Sequence, residues 1–144
     1  MAQQQVVFEE FIAAPREKVF AFFADHEKFG TLFGGKVKRI KDAPGADPNG
    51  LGSVRLIPGP GGAFEETIVS FQAPELIEYR VTRGSPIKNH LGRIEFHDET
   101  AGTKVRYTIS FEPRIPLTGS LIAGILRASW CRNLPKAMEQ LVRH

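Results

Sequence analysis

Three consecutive segments in the second half of the chain alternate apolar and polar residues at a period of two, and one long helical segment follows them. In 76–82, Ile77, Tyr79 and Val81 share one face, while Glu78, Arg80 and Thr82 share the other. In 89–98, Gly92, Ile94 and Phe96 oppose Arg93, Glu95 and His97, with Leu91 out of pattern. In 104–112, Val105, Tyr107, Ile109 and Phe111 oppose Lys104, Arg106, Thr108 and Ser110. Such alternation describes antiparallel strands with one face packed and one face wet. The packed face must be covered, and residues 117–143 read as a single long helix able to cover it. A sheet closed over one helix leaves a space between them, and the function is expected there.

The remaining elements complete an α+β order. Residues 5–13 read as a first strand. Ala14-Pro15 and Glu17 signal a helix start, with proline at the first helical position, and Val19, Phe20, Phe22 and Phe23 form its apolar stripe. Asp25 can cap a second short helix to about Thr31, ended by Gly30 and the Gly34-Gly35 pair. Residues 36–41 make a charged edge strand, 42–53 are turn chemistry, and 54–57 and 63–71 are strands joined by a hairpin turn at 58–62. The glycines of that turn fit neither GxGxxG nor GxxxxGK[ST], so no phosphate cradle is read there. Pro74 turns the chain before residue 76, and 98–102 joins the last two strands as a hairpin. The count is about seven strands, two short helices after the first strand and a long C-terminal helix, in one domain spanning 1–144.

At 144 residues the chain can bury a core without disulfides or metal. Eleven phenylalanines against two tyrosines and one tryptophan point to an interior filled or walled by rings. The single cysteine, Cys131, excludes an internal disulfide and fits a reducing compartment; it is expected to be buried and inert on the apolar side of the last helix. Neither a signal peptide nor a membrane span is read, so a cytoplasmic location is expected. The net charge of +3 resides entirely in 117–143, which carries Arg127, Arg132, Lys136 and Arg143 against Glu139.

This order and its landmarks resemble the START/Bet v-type (SRPBCC) superfamily and, within it, the polyketide cyclase/dehydrase-like branch. The matching features are the opening strand followed by APREKVFAFFAD and the run Gly52-Ser53-Val54-Arg55. Further along they are Phe64-Glu65-Glu66, Pro74 with Ile77-Glu78-Tyr79-Arg80-Val81, Gly102-Thr103-Lys104-Val105, and Phe111-Glu112-Pro113. The resemblance implies a helix-grip fold, with a curved antiparallel sheet wrapped around the C-terminal helix. It also implies a deep apolar cavity for a lipid, polyketide, sterol-like or aromatic molecule. Relatives of this kind include polyketide cyclases and dehydratases as well as carriers. Two positions depart from the pattern: Phe29 and Tyr107 stand where arene- and polyketide-binding members often have tryptophan.

Few polar groups face inward. Tyr79 and Tyr107 follow the apolar phase, so each buried hydroxyl needs a partner, either backbone or ligand. His90 is in phase with Ile94 and is expected near the cavity rim, as an acid or base or simply satisfied by a neighbour. Glu66 shares its phase with Phe64 and Ile68, and an inward carboxylate must be protonated or paired. Arg55 and Arg127 are its candidate partners. Arg55 lies on a strand of ambiguous alternation, and is on the surface if Val54 and Leu56 point inward. Arg127 lies on the side of the last helix that carries Trp130, Cys131, Leu134, Met138 and Leu141. The candidate ligand-binding set is therefore Arg55, Glu66, Tyr79, His90, Tyr107, Arg127 and Trp130, with no catalytic residue assigned.

No metal-ligand spacing, nucleophile triad or basic-aromatic stripe is visible, so neither metal, cofactor nor nucleic acid is expected. The leading expectation is a binding module for a small hydrophobic molecule, with cyclase or dehydratase chemistry as an extension. The alternative is a non-catalytic interaction protein, or a membrane-associated lipid or quinone carrier. That alternative rests on 117–126, which is apolar on nearly every side. A homodimer interface, a cavity portal or a weak membrane contact would each cover it.

Overall fold

The computed structural model describes residues 3–34, 36–58 and 62–143. Seven strands form one antiparallel sheet. They are β1 (Gln4–Ile12), β2 (Lys38–Lys41), β3 (Val54–Ile57), β4 (Phe64–Gln72), β5 (Leu76–Arg83), β6 (Ile87–Glu99) and β7 (Gly102–Pro113), in the order β1-β7-β6-β5-β4-β3-β2. Helices α1 (Arg16–Ala24) and α2 (His26–Gly30) and a 3-10 turn (Thr31–Phe33) follow β1, and α3 (Gly119–Arg143) closes the chain. This is the helix-grip arrangement of the α+β class. The chain makes one long-range jump: β1 crosses to pair with β7 over its full length, Gln4 opposite Phe111 and Ile12 opposite Thr103. Each other neighbouring pair is consecutive in sequence, which simple hairpin-type returns allow.

Local signals explain the helix boundaries. Pro15 is the N-cap of α1, one position before its first helical residue, so the missing N–H costs nothing there. Asp25 ends α1 and caps α2, its Oδ1 accepting the N–H groups of Glu27 and Lys28 at 3.0 Å each. Gly34, with a φ of 67°, stops the 3-10 turn in a left-handed conformation; its neighbour Gly35 lies outside the described residues. So does the middle of the turn read at 58–62, although β3 and β4 pair antiparallel on either side of it. Edge strand β2 is exposed throughout and charged, which discourages further pairing.

The core is the apolar phase of β1, β5, β6 and β7 packed on α1 and α3. Phe23, Phe96, Phe111, Tyr107 and Trp130 are all buried to 1% exposure or less. Most of the phenylalanines fill this core; Phe11, on the outer face of β1, is 55% exposed.

The buried face of α3 runs through Gly119, Ala123, Trp130, Ala137 and Leu141, with Leu126, Leu134 and Met138 partly buried beside it. That row is turned from the one centred on Arg127, Cys131 and Met138. Consequently Cys131 is exposed rather than buried, and Arg127 is exposed as well. The bulk of Trp130 decides the rotation: its indole stacks on Phe8 with centroids 4.4 Å apart, and Nε1 donates to Glu10 at 3.2 Å. The helix continues through Pro135, which has no N–H to offer the preceding turn.

Candidate functional site

Between the sheet and the front of α3 lies a cavity of about 180 Å³. Phe64, Tyr79, Tyr107 and Ile109 line it from the sheet, Phe29 and Phe33 from the α2 region, and Ile122 and Leu126 from α3. The turn Ser85-Pro86-Ile87 borders it, as do Val37 and Ile57. Its walls are almost wholly apolar because each strand turns its apolar phase inward. The polar exceptions come from Glu66, Tyr79, His90, Tyr107 and Ser85.

Glu66 and Arg55 sit directly opposite one another on β4 and β3. Arg55 Nε donates to Glu66 Oε1 at 2.8 Å, and the two side chains are 2% and 8% exposed. The expected partner of Glu66 is therefore Arg55, and Arg127 takes no part. Val54 and Arg55 are both buried, so the alternation of β3 does not sort inside from outside. Arg55 and Ser53 turn to the inner face with Glu66, where His26 and Phe29 of α2 enclose them, while Val54, of the opposite parity, is buried as well. The Arg55 guanidinium lies 4.2 Å from the ring centroids of both Phe29 and Tyr79, a sandwich that favours a cation. Arg55 Nη1 meets His26 Nδ1 at 3.4 Å, and His26 Nε2 is 3.0 Å from Ser53 Oγ. Because an arginine only donates, Nδ1 accepts and the His26 proton is on Nε2, donating to Ser53. Arg55 Nη2 is buried with no partner among the described residues.

Two hydroxyls meet at the floor of the cavity. The Tyr79 and Tyr107 side chains hydrogen-bond to each other through their phenol oxygens. Tyr79 can lie flat across β6 only because its register partner is Gly92: a Cβ there would fall 2.2 Å from the Tyr79 ring. His90 keeps the inward phase of Gly92 and Ile94 and lines the cavity beside an irregularity in β6, where the register with β7 shifts between Lys88 and Leu91. Asn89 takes a φ of 50° and its amide donates to Glu112, which anchors this bulge. His90 Nδ1 accepts the Val81 N–H at 3.0 Å, leaving its proton on Nε2.

Burial dominates the electrostatics of the site. It pushes the Glu66 carboxyl up, with the Arg55 cation opposing. Burial, then the charges of Arg55 and Arg39, bring His26 down to about 3, with Asp25 pulling weakly the other way. Burial, then Arg55 and Arg80, bring His90 down to about 3. Both phenols are pushed up, again chiefly by burial. At neutral pH both histidines and both tyrosines are therefore neutral hydrogen-bonding groups, and the Glu66 carboxyl, raised by burial, is held against that rise by Arg55.

Of the residues singled out in the sequence, Arg55, Glu66, Tyr79, His90 and Tyr107 gather in one cluster. Trp130 stands behind it, its ring 5.6 Å from that of Tyr107, outside the cavity lining. Arg127 is remote from the cluster, on the exposed side of α3. Sequence reasoning passed over His26 and Ser53, which support Arg55, and over Phe33, which walls the cavity; Ile122 and Leu126, which also wall it, belong to the segment 117–126 for which a cavity portal is one reading. No local signal marks His26; only the packing of α2 against β3 brings it to Arg55. Among the described residues no three His, Cys, Asp or Glu side chains group as a metal would require.

The family model described as polyketide cyclase / dehydrase and lipid transport matches residues 3–144. No curated protein matches the chain. Several solved structures share the fold at low identity. An aromatase/cyclase from a Streptomyces species is 20% identical with a TM-score of 0.69, covering 99% of this chain and 95% of that one. Norcoclaurine synthase from Thalictrum flavum, in complex with dopamine and hydroxybenzaldehyde, is 13% identical with a TM-score of 0.69, over 98% and 87% of the two chains. A Deinococcus radiodurans protein is 19% identical with a TM-score of 0.65, over 98% and 99%. At these identities the likeness is one of fold.

Proposed function

The chain belongs to the polyketide cyclase/dehydrase and lipid transport family, and on that premise we propose that it binds a small, flat hydrophobic molecule bearing one hydrogen-bonding group. The observation that carries this reading is the shape and chemistry of the cavity: about 180 Å³ of apolar space ending at paired tyrosine hydroxyls. An apolar cavity of roughly 150 Å³ accommodates benzene, and drug-sized pockets begin near 300 Å³. In the described state the space therefore suits one or two fused rings. An extended lipid or a folded polyketide chain requires Ile122 and Leu126 to part from Phe33 and Phe64.

The polar floor supplies orientation. His90 Nε2–H is a donor, and the tyrosine pair has one hydroxyl hydrogen free to donate, since two O–H groups share one mutual bond. A carbonyl or phenol on the ligand would be received there. The related Thalictrum synthase, held in complex with dopamine and hydroxybenzaldehyde, gives a precedent for ring-sized ligands on this fold.

Cyclase- or dehydratase-type chemistry is a second reading, favoured by one observation: Glu66 borders the cavity with its carboxyl pushed up. Such a group can exchange a proton with a ligand held against the floor. Binding is the broader reading, because the histidines and tyrosines around Glu66 do not titrate near neutral pH.

Calorimetric titration with a naphthol, and in parallel with a long-chain fatty acid, tests the proposal. Saturable binding of the naphthol, abolished in Ile122→Phe where the added ring fills the cavity, is expected. Binding that is unaffected by Ile122→Phe, or that favours the fatty acid, would overturn it. Proton exchange into a bound 1,3-diketone, lost in Glu66→Gln while binding persists, would establish the catalytic reading.

A further inference from the structure

The outer face of α3 has a composition that the fold does not use. Leu121 and Ile125 are 64% and 60% exposed, and Ala128, Arg132 and Lys136 continue the same side of the helix, all exposed. At spacings of three and four residues these positions share one side, opposite Ala123, Trp130 and Ala137. The face is apolar toward the front and basic toward the rear. Just ahead of it Ile115 is 62% exposed and Leu117 fully exposed. Leu117 has a φ of 70°, a left-handed conformation unusual for leucine, and it projects an isobutyl group into water.

The charge around this surface has one sign. From residue 113 to residue 138 there are four basic residues, Arg114, Arg127, Arg132 and Lys136, and no acidic one. The next residues of α3 are different in kind, since Glu139 pairs with Arg143 at 2.7 Å. The same short segment also reaches the cavity. Ile122 and Leu126, each adjacent in sequence to an exposed apolar residue, form its wall. Arg114 Nε donates to the carbonyl of Ser85 at 3.1 Å, tying the segment to the turn that borders the cavity.

We infer that α3 docks on an anionic lipid bilayer, with Ile115, Leu117, Leu121 and Ile125 entering the interface and Arg132 and Lys136 meeting the headgroups. A row of exposed apolar side chains continuing into basic ones, without an acid among them, matches the layered chemistry of such a surface. A second copy packed antiparallel along this face would bury Arg132 and Lys136 against the uncharged front of its partner without an acid to pair them, which disfavours it. In this position α3, whose inner flank carries the Ile122 and Leu126 wall, lies between the bilayer and the cavity, so a hydrophobic ligand passing round the front of the helix would have little exposure to water. The docking itself stands on the surface alone; only this last step rests on the proposed ligand binding.

Co-sedimentation of the full chain with vesicles tests the inference, using phosphatidylcholine alone and phosphatidylcholine with phosphatidylserine. Binding to the serine-containing vesicles that weakens in high salt is expected. Arg132→Gln/Lys136→Gln should reduce partitioning on the order of 25-fold, at roughly a fivefold effect per basic residue. Leu121→Ser/Ile125→Ser should reduce binding to both vesicle types. Both double variants change exposed side chains, and unaltered melting temperatures would establish that they remain folded. Naphthol binding measured without vesicles should be unchanged in Arg132→Gln/Lys136→Gln, which separates this test from that of the cavity. Absence of binding to anionic vesicles, insensitivity to the helix substitutions, or a stable dimer dissociated by Leu121→Ser/Ile125→Ser would each overturn the inference.

Discussion

Breaking the Arg55–Glu66 pair from its two ends should give two different pH profiles. The guanidinium cannot release its proton, whereas the carboxyl can take one up. With a charge separation of about 4 Å and an effective dielectric near 20, the attraction is about 4 kcal/mol. Loss of one partner of a buried pair costs about 3–5 kcal/mol, and the 2% and 8% exposure of these side chains leaves little water to soften that cost. Glu66→Gln should therefore destabilise by about 3–5 kcal/mol, and its cost should not grow with pH, because the titrating group is gone and the cation remains. Arg55→Met should behave otherwise. Glu66 is already raised from 4.5 by burial, and without Arg55 nothing opposes the rise. A carboxyl with a raised folded value contributes its full stability below about 4.5 and loses it as pH climbs through that value. The cost of Arg55→Met should thus be level with pH up to the wild-type folded value of Glu66 and increase by up to about 1.4 kcal/mol per pH unit above it. Replacing both partners, as Arg55→Met/Glu66→Leu, should recover most of the wild-type stability. Urea unfolding followed by the fluorescence of Trp130, the sole tryptophan, reads all three variants. A cost below about 1 kcal/mol for Glu66→Gln, the range of exposed pairs, or a flat pH profile for Arg55→Met, would refute the reasoning.

Acid should destabilise the protein through His26 and His90. Both fall from 6.5 to about 3 in the fold, so their contribution is complete above pH 6.5 and is lost as pH drops from there toward 3. The slope is at most about 1.4 kcal/mol per pH unit for each histidine, and His26→Asn/His90→Asn should flatten it in urea unfolding between pH 7 and 5; an unchanged slope would locate the titration elsewhere. Gly92→Ala should cost about 1–3 kcal/mol by overpacking, since the new Cβ would fall 2.2 Å from Tyr79. Adding Tyr79→Val should relieve that cost, and strictly additive effects in the double-mutant cycle would count against the close approach.

The seven strands, the two short helices and the closing helix were legible in the sequence because their signals are local. Alternation set the faces of β5, β6 and β7, Asp25 announced the start of α2, and glycine marked the end of the 3-10 turn. The inward positions of Tyr79, Glu66, His90 and Tyr107 followed from the same parity, since a strand offers a side chain only two directions. Where parity did not set burial, the sequence left Arg55 open and misplaced Cys131 and Arg127. Arg55 lies on a four-residue strand covered on both sides, and only the packing of α2 against β3 encloses it. On α3 the choice between neighbouring rows of side chains turned on where the Trp130 indole could stack, which is a property of Phe8 on a strand more than a hundred residues away. Secondary structure and facing are thus written in the order of residues. The cluster of Arg55, Glu66, His26 and Ser53, and the cavity above it, depend on which surfaces meet, and those contacts exist only once the sheet has closed on its helices.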